Sequence, residues 1–172
     1  TSNTMTVRAG ATAVSVSATP PAQTIVAGKS QMTLGNILFD GTQSGEDVRY
    51  TASQFTYTKD ATATNVTNCF AFDGVTQLNN TAVNPSGSTV TAVAYTFTFN
   101  NALTVPKGTV KTVTVKCDVP GSLTSGTFSW GLAVQLGTSS NTISGTGVSS
   151  TQTIYPTGVV VAGNTMTLSR AG

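Results

Sequence analysis

At 172 residues the chain is long enough for one sizeable core or two small sandwiches, and no more. Charged residues make up only 8% of it, against roughly a quarter in an ordinary soluble domain. The eight basic residues behind the net charge of +2 are scattered singly, so no patch could neutralise a row of phosphates, which points away from nucleic acid. A hydrophobic share of 38% with clear alternation excludes a disordered stalk, and no apolar run approaches the length needed for membrane insertion of this segment.

The chain opens on a motif that it repeats at its other end. Asn3 to Gly10 reads NTMTVRAG, and Asn164 to Gly172 reads NTMTLSRAG, a Val/Leu exchange and one inserted Ser apart. Self-similarity of this kind is the mark of tandem architecture. We therefore divide the chain into a seam strand or linker over 1–10, shared with a preceding repeat, a β-sandwich repeat over 11–163, and a seam to the next repeat over 164–172. In both seams the apolar residues alternate, Met5 with Val7 and Met166 with Leu168, as in a strand with one buried face. The assembly seam is assigned to Asn3, Met5, Val7, Asn164, Met166 and Leu168.

After the first seam, Val14 and Val16 share a face until Pro20-Pro21 stops the strand, because neither proline can donate to a ladder. Gln23 to Ala27 resumes the extended chain and Gly28-Lys29 turns it. Met32 and Leu34 then fall on one parity and Ile37 and Phe39 on the other, which predicts a bulge near Gly35-Asn36. Val48, Tyr50 and Ala52 then share one parity and Phe55 and Tyr57 the other, which predicts another bulge or bend near Ser53. Cys69 and Ala71 face one way and Phe70 and Phe72 the other, as in a strand buried on both faces. Asp73-Gly74 is a hairpin turn.

The clearest alternations are Val93-Tyr95-Phe97-Phe99, Val113-Val115-Cys117-Val119 and Phe128-Trp130-Leu132-Val134-Leu136. These three strands are expected to form the core, with Trp130 at its centre because its ring buries the most area. From Gly137 to Ser150 the chain is Gly, Ser, Thr and Asn, a loop anchored only by Ile143 and Val148. No apolar set falls at helical spacing over a dozen positions, so the chain is expected to be all-β, an immunoglobulin-like antiparallel β-sandwich with essentially no helix.

Little in the sequence supports catalysis. There is no histidine, which removes the usual general base and the Ser-His and Cys-His nucleophile pairs. The six carboxylates mostly border polar or Gly-containing turns, and we expect no enzyme activity. Asp40, Glu46 and Asp47 form the densest acidic loop and are a candidate calcium site, although their spacing matches no EF-hand. No other cofactor is indicated. Cys69 and Cys117 are candidates for a disulfide, with a buried free thiol as the rival reading for Cys117. Lys111 shares the parity of Val113 and Cys117, which raises a Lys-Asn or Lys-Asp crosslink against the commoner snorkelling lysine. Asn65-Val-Thr and Asn79-Asn-Thr match the N-glycosylation sequon, so glycan is a candidate partner.

The blocks ATPPAQTIVAGKSQMTLGNILFDGTQSGEDVRYTASQFTYT, LTVPKGTVKTVTVKCDV, GTFSWGLAV and GNTMTL, in that order, resemble the tandem immunoglobulin-like repeats of large secreted surface proteins from candidate-phyla bacteria. The resemblance implies an extracellular, cell-surface structural protein of surface-layer type and brings no catalytic residues. Two functions remain. One is a structural repeat of a surface layer or filament that joins copies of itself through the terminal NTMT strands. The other is an adhesin or carbohydrate-binding module, which exposed Tyr50 or Tyr155 aligned with Trp130 on one sheet face would favour.

Overall fold

The computed structural model describes residues 2–60, 63–86, 90, 92–122, 125–132 and 143–169. Thirteen strands run in chain order: β1 Ala13–Val16, β2 Gln23–Val26, β3 Met32–Asp40, β4 Val48–Lys59, β5 Thr67–Asp73, β6 Thr76–Gln77, β7 Val93–Val105, β8 Val110–Asp118, β9 Thr127–Gly131, β10 Gly145–Gly147, β11 Thr153–Ile154, β12 Thr157–Gly158 and β13 Met166–Ser169. Among the described residues there is no helix.

The strands form two sheets, ordered β12-β1-β3-β8-β5-β6 and β11-β10-β4-β9-β13-β2, with β7 on the free edge of β4. The fold is an all-β sandwich. Its ladders are antiparallel except for β1 with β12 and β13 with β2, which run parallel. The long strand β4 serves several partners. Its start pairs with β10 and its end with β9 along one edge, while β7 runs down the other.

Both expected bulges are present, each slightly earlier in the chain than the parity slip placed it. Leu34 is the extra residue of β3 against β8, and it lets Leu34, Ile37 and Phe39 all reach the core while Met32 stays half-buried. On β4 the register breaks between Tyr50 and Ala52, after which Ser53, Phe55 and Tyr57 carry the buried parity. Opposite that break residues 99–102 of β7 fall outside the ladder with β4. There the Asn101 N–H donates to the Leu78 carbonyl at 3.0 Å and its amide to the Gln77 carbonyl at 2.8 Å, tying the edge of one sheet to the other.

The three strongest alternations contribute to both sheets: β8 lies in the first, β7 and β9 flank β4 in the second. Trp130 on β9 is fully buried, its ring centroid 5.1 Å from Tyr57, 5.5 Å from Phe97 and 6.1 Å from Tyr95. Phe39 and Tyr50 meet edge to face at 5.0 Å and close the gap between the sheets. Val134 and Leu136 lie outside the described residues.

Several expectations are corrected in detail. Cys69 and Ala71 are buried, but Phe70 and Phe72 are only half so, because that face of β5 meets solvent and Phe72 is covered by the Lys116 ammonium 4.8 Å from its ring. Val93, at the start of an edge strand, is exposed. Ile143 anchors the Gly-rich stretch as expected, whereas Val148 is exposed and the anchoring is done by β10. Gly145 is required there, since a Cβ would approach Val48 to 2.6 Å and the Tyr50 ring to 3.0 Å.

Candidate functional site

The repeated seam has two fates in one molecule. At the C-terminal end it is β13, an inner strand of its sheet. Asn164 opens it by donating its amide to the carbonyls of Ser17 at 3.0 Å and Pro20 at 2.7 Å, which fixes the seam to the turn where the prolines end β1. Met166 and Leu168 then point into the core, and Thr165, Thr167 and Ser169 point out. One edge of the strand pairs with β9, Met166 opposite Phe128. The other pairs with β2 through Gln23, Thr24, Ile25 and Val26.

At the N-terminal end the same residue types lie in no strand. Asn3 is exposed, as are Met5 at 89% and Val7 at 94% of their surface. This corrects the expectation of a strand over Asn3 to Ala9. An alternating segment forms a strand when an edge and a core face are available, and Asn3 to Val7 meets neither here.

The root of the segment is held firmly. The Gly45 N–H donates to the Ala9 carbonyl at 3.0 Å and the Ala11 N–H to the Ser44 hydroxyl at 3.1 Å. Thr12, buried, shares a hydrogen bond with the Tyr50 hydroxyl. Gly45 has no side chain to spare here: a Cβ would run into the Arg8 carbonyl. Burial pushes the Tyr50 phenol up to about 12, a change the Thr12 hydroxyl opposes.

The acidic loop does not gather its carboxylates. Asp40 takes the Thr42 N–H at 2.8 Å and hydroxyl at 2.6 Å. Glu46 takes the N–H groups of Ser149 and Ser150, both at 2.8 Å, and the Ser150 hydroxyl at 2.6 Å. Asp47 accepts the Lys107 N–H at 2.9 Å. Each carboxylate closes a different turn, and among the described residues no group of three acidic, Cys or His side chains could hold a metal. The calcium expectation for Asp40, Glu46 and Asp47 thus lacks a converging ligand set, because backbone and hydroxyl donors claim the oxygens.

Those donors set the acid response. The Thr42 hydroxyl and N–H hold Asp40 below its ordinary value, the Ser150 hydroxyl and N–H do so for Glu46, and the Asn68 amide and Gln31 N–H for Asp118. Asp118 also steadies two strained residues, since Gln31 and Asn68 both have positive φ. With folded values below unfolded ones, this stabilisation is complete above the ordinary carboxylate range and is lost as pH falls below about 4. The melting temperature is expected to be level near neutrality and to drop in acid, with a shallower drop in Glu46→Gln. Identical acid profiles for the two chains would contradict the assignment to Glu46.

Cys69 and Cys117 are joined in a disulfide between β5 and β8, both side chains fully buried. Lys111 is paired with Asp73, Nζ to Oδ2 2.9 Å, in a half-exposed ion pair at the end of β8. Asn79 is buried, its Oδ1 accepting the Ala71 N–H at 2.7 Å and its amide donating to the Thr81 carbonyl at 2.8 Å. That sequon holds a structural amide, and Asn65 of the other is half-buried. Tyr50 and Trp130 are fully buried and Tyr155 half-buried, so they form no aromatic platform. A hollow of about 390 Å³ beside the seam root, lined by Thr12, Asp40, Ile154 and Tyr155, has one aromatic ring among its walls.

Sequence reasoning missed the seam's anchors. The carbonyls of Ser17 and Pro20 that receive Asn164 carry no side-chain signal, and the pairing of β2 with β13 joins segments nearly a chain length apart. No helix of the described residues is long and apolar enough to cross a membrane. No family model matches the chain, and no curated protein matches it. Among solved structures, the seventh ScaB type I cohesin from Pseudobacteroides cellulosolvens is similar to 94% of this chain over 93% of its own, at 11% identity and a TM-score of 0.42, a likeness too distant to inform function.

Proposed function

We propose that the chain is a non-catalytic structural unit of an extracellular cell-surface assembly, a surface layer or filament, joined to copies of itself through its terminal NTMT strands. The observation that carries this reading is the double fate of one motif: built into a sheet at Asn164 to Leu168, and held out in solvent at Asn3 to Val7. Two fully exposed apolar side chains at strand spacing suit burial against another molecule. The resemblance to secreted surface repeats agrees with it, as do the low charge and the buried disulfide. The burial of Tyr50 and Trp130 weakens the adhesin alternative.

Light scattering and negative-stain microscopy of concentrated chain are expected to show linear, end-to-end association. Deleting residues 2–7 should abolish it and leave the melting temperature unchanged. A chain that is monomeric at every concentration and binds a glycan on an array would overturn the reading in favour of an adhesin.

A further inference from the structure

We propose that Asn3 to Val7 is a closing strand for a second copy of this sandwich, where it lies between the counterparts of β9 and β2 as Asn164 to Leu168 do here. This rests on the structural reading above and names the place the strand takes. An open sheet edge would accept many alternating segments through backbone bonds alone. The slot between β9 and β2 asks for more, and the segment supplies each requirement in order.

The first requirement is an amide for the two carbonyls of the proline turn, met here by Asn164 and offered by Asn3. Next come two apolar side chains at alternate positions, one opposite Phe128 and one beyond it. Met166 and Leu168 fill these places, and Met5 and Val7 repeat the pattern with one methylene fewer. The intervening positions must be small and polar because they face outward, and Thr4 and Thr6 match Thr165 and Thr167. Both edges of the inserted strand must then be free to bond, and among the described residues no backbone hydrogen bond involves residues 3–7.

The clamp at the root decides how two copies sit. Only Arg8, Ala9 and Gly10 separate the closing strand from the fixed contacts at Ala11 and Thr12, and Ala9 is itself bonded to Gly45. Three extended residues reach about 11 Å at most. Two copies joined this way touch, and the Gly41 to Glu46 loop of one lies at the seam of the other. The join is a short rigid splice.

In this chain the slot is already filled by β13, so a second copy accepts the segment when the two are consecutive in one polypeptide or when its own closing strand is displaced. The test displaces it. Met166→Asp with Leu168→Asp in the full 172-residue chain weakens the slot's own occupant and leaves the N-terminal segment intact. Refolded, this variant is expected to form soluble head-to-tail oligomers by light scattering. A molar excess of a synthetic peptide of residues 2–9 should cap them to peptide-bound monomers, and adding Met5→Asp and Val7→Asp to the chain should abolish them.

Oligomers that survive Met5→Asp and Val7→Asp would overturn the proposal, as would a folded variant that neither associates nor takes up the peptide. If the double Asp chain does not fold, Met166→Ala carries the same test. The peptide should then raise its melting temperature by several degrees, a Met5→Asp, Val7→Asp peptide should not, and no rise with either overturns the proposal. Self-assembly of the unsubstituted chain plays no part in these readouts. A monomeric native chain with a working slot would therefore count against the assembly reading alone.

Discussion

Trp130→Ala is expected to lower the unfolding free energy by about 4 kcal/mol, the largest loss from a single side chain in this molecule. The indole is fully buried, and its removal strips contacts from Tyr57, Tyr95 and Phe97 at once. Those rings come from β4 and β7, so the cavity opens where three strands of one sheet meet and cannot collapse from one side. β3 presses Gly35 against the Trp130 backbone and Cβ from the facing sheet. Trp130→Phe should cost much less. It keeps a ring in the cluster and removes an indole N–H that is buried without a hydrogen-bond partner among the described residues. Urea unfolding followed by circular dichroism measures both. A loss under about 1 kcal/mol for Trp130→Ala would show that the core is centred elsewhere.

Breaking the disulfide is expected to cost a similar amount by a different route. Cys69 and Cys117 are 48 positions apart, and releasing a loop of that size returns about 4 kcal/mol of chain entropy to the unfolded state. Because the effect belongs to the bond, Cys69→Ala, Cys117→Ala and the double variant should each lose nearly the same amount. The packing lost with a buried sulfur is small by comparison. Reduced and oxidised chains that unfold at the same urea concentration would remove the disulfide from the stability of the fold.

Much of the sandwich was legible because alternation states which side of a strand is wet. The slips after Leu34 and after Ala52 announced bulges that lie slightly earlier in the chain, and Asp73-Gly74 announced its hairpin, with Gly74 at positive φ. Partnership was not legible in the same way. Alternation in Met5 and Val7 is as good as in Met166 and Leu168, yet only the second pair has a sheet to enter. A pattern describes the face a segment would bury and is silent on whether an edge is vacant. The Gly-rich stretch hid β10 for the opposite reason, since Gly145 and Gly147 carry no side chain from which to read a period. The acidic loop misled through spacing. Nearness in sequence grouped Asp40, Glu46 and Asp47, while nearby N–H groups and hydroxyls parted them.

The position of β13 also governs when the molecule can fold. β2 has no sheet to join until β13, far later in the sequence, is laid between it and β9. During synthesis the strands between them are made first, and the rest of both sheets can pair before this closure. Such long-range closure slows folding. Until it is complete the edge of β9 stands open to any other alternating segment, so the closing step is also the point at which a wrong strand can enter.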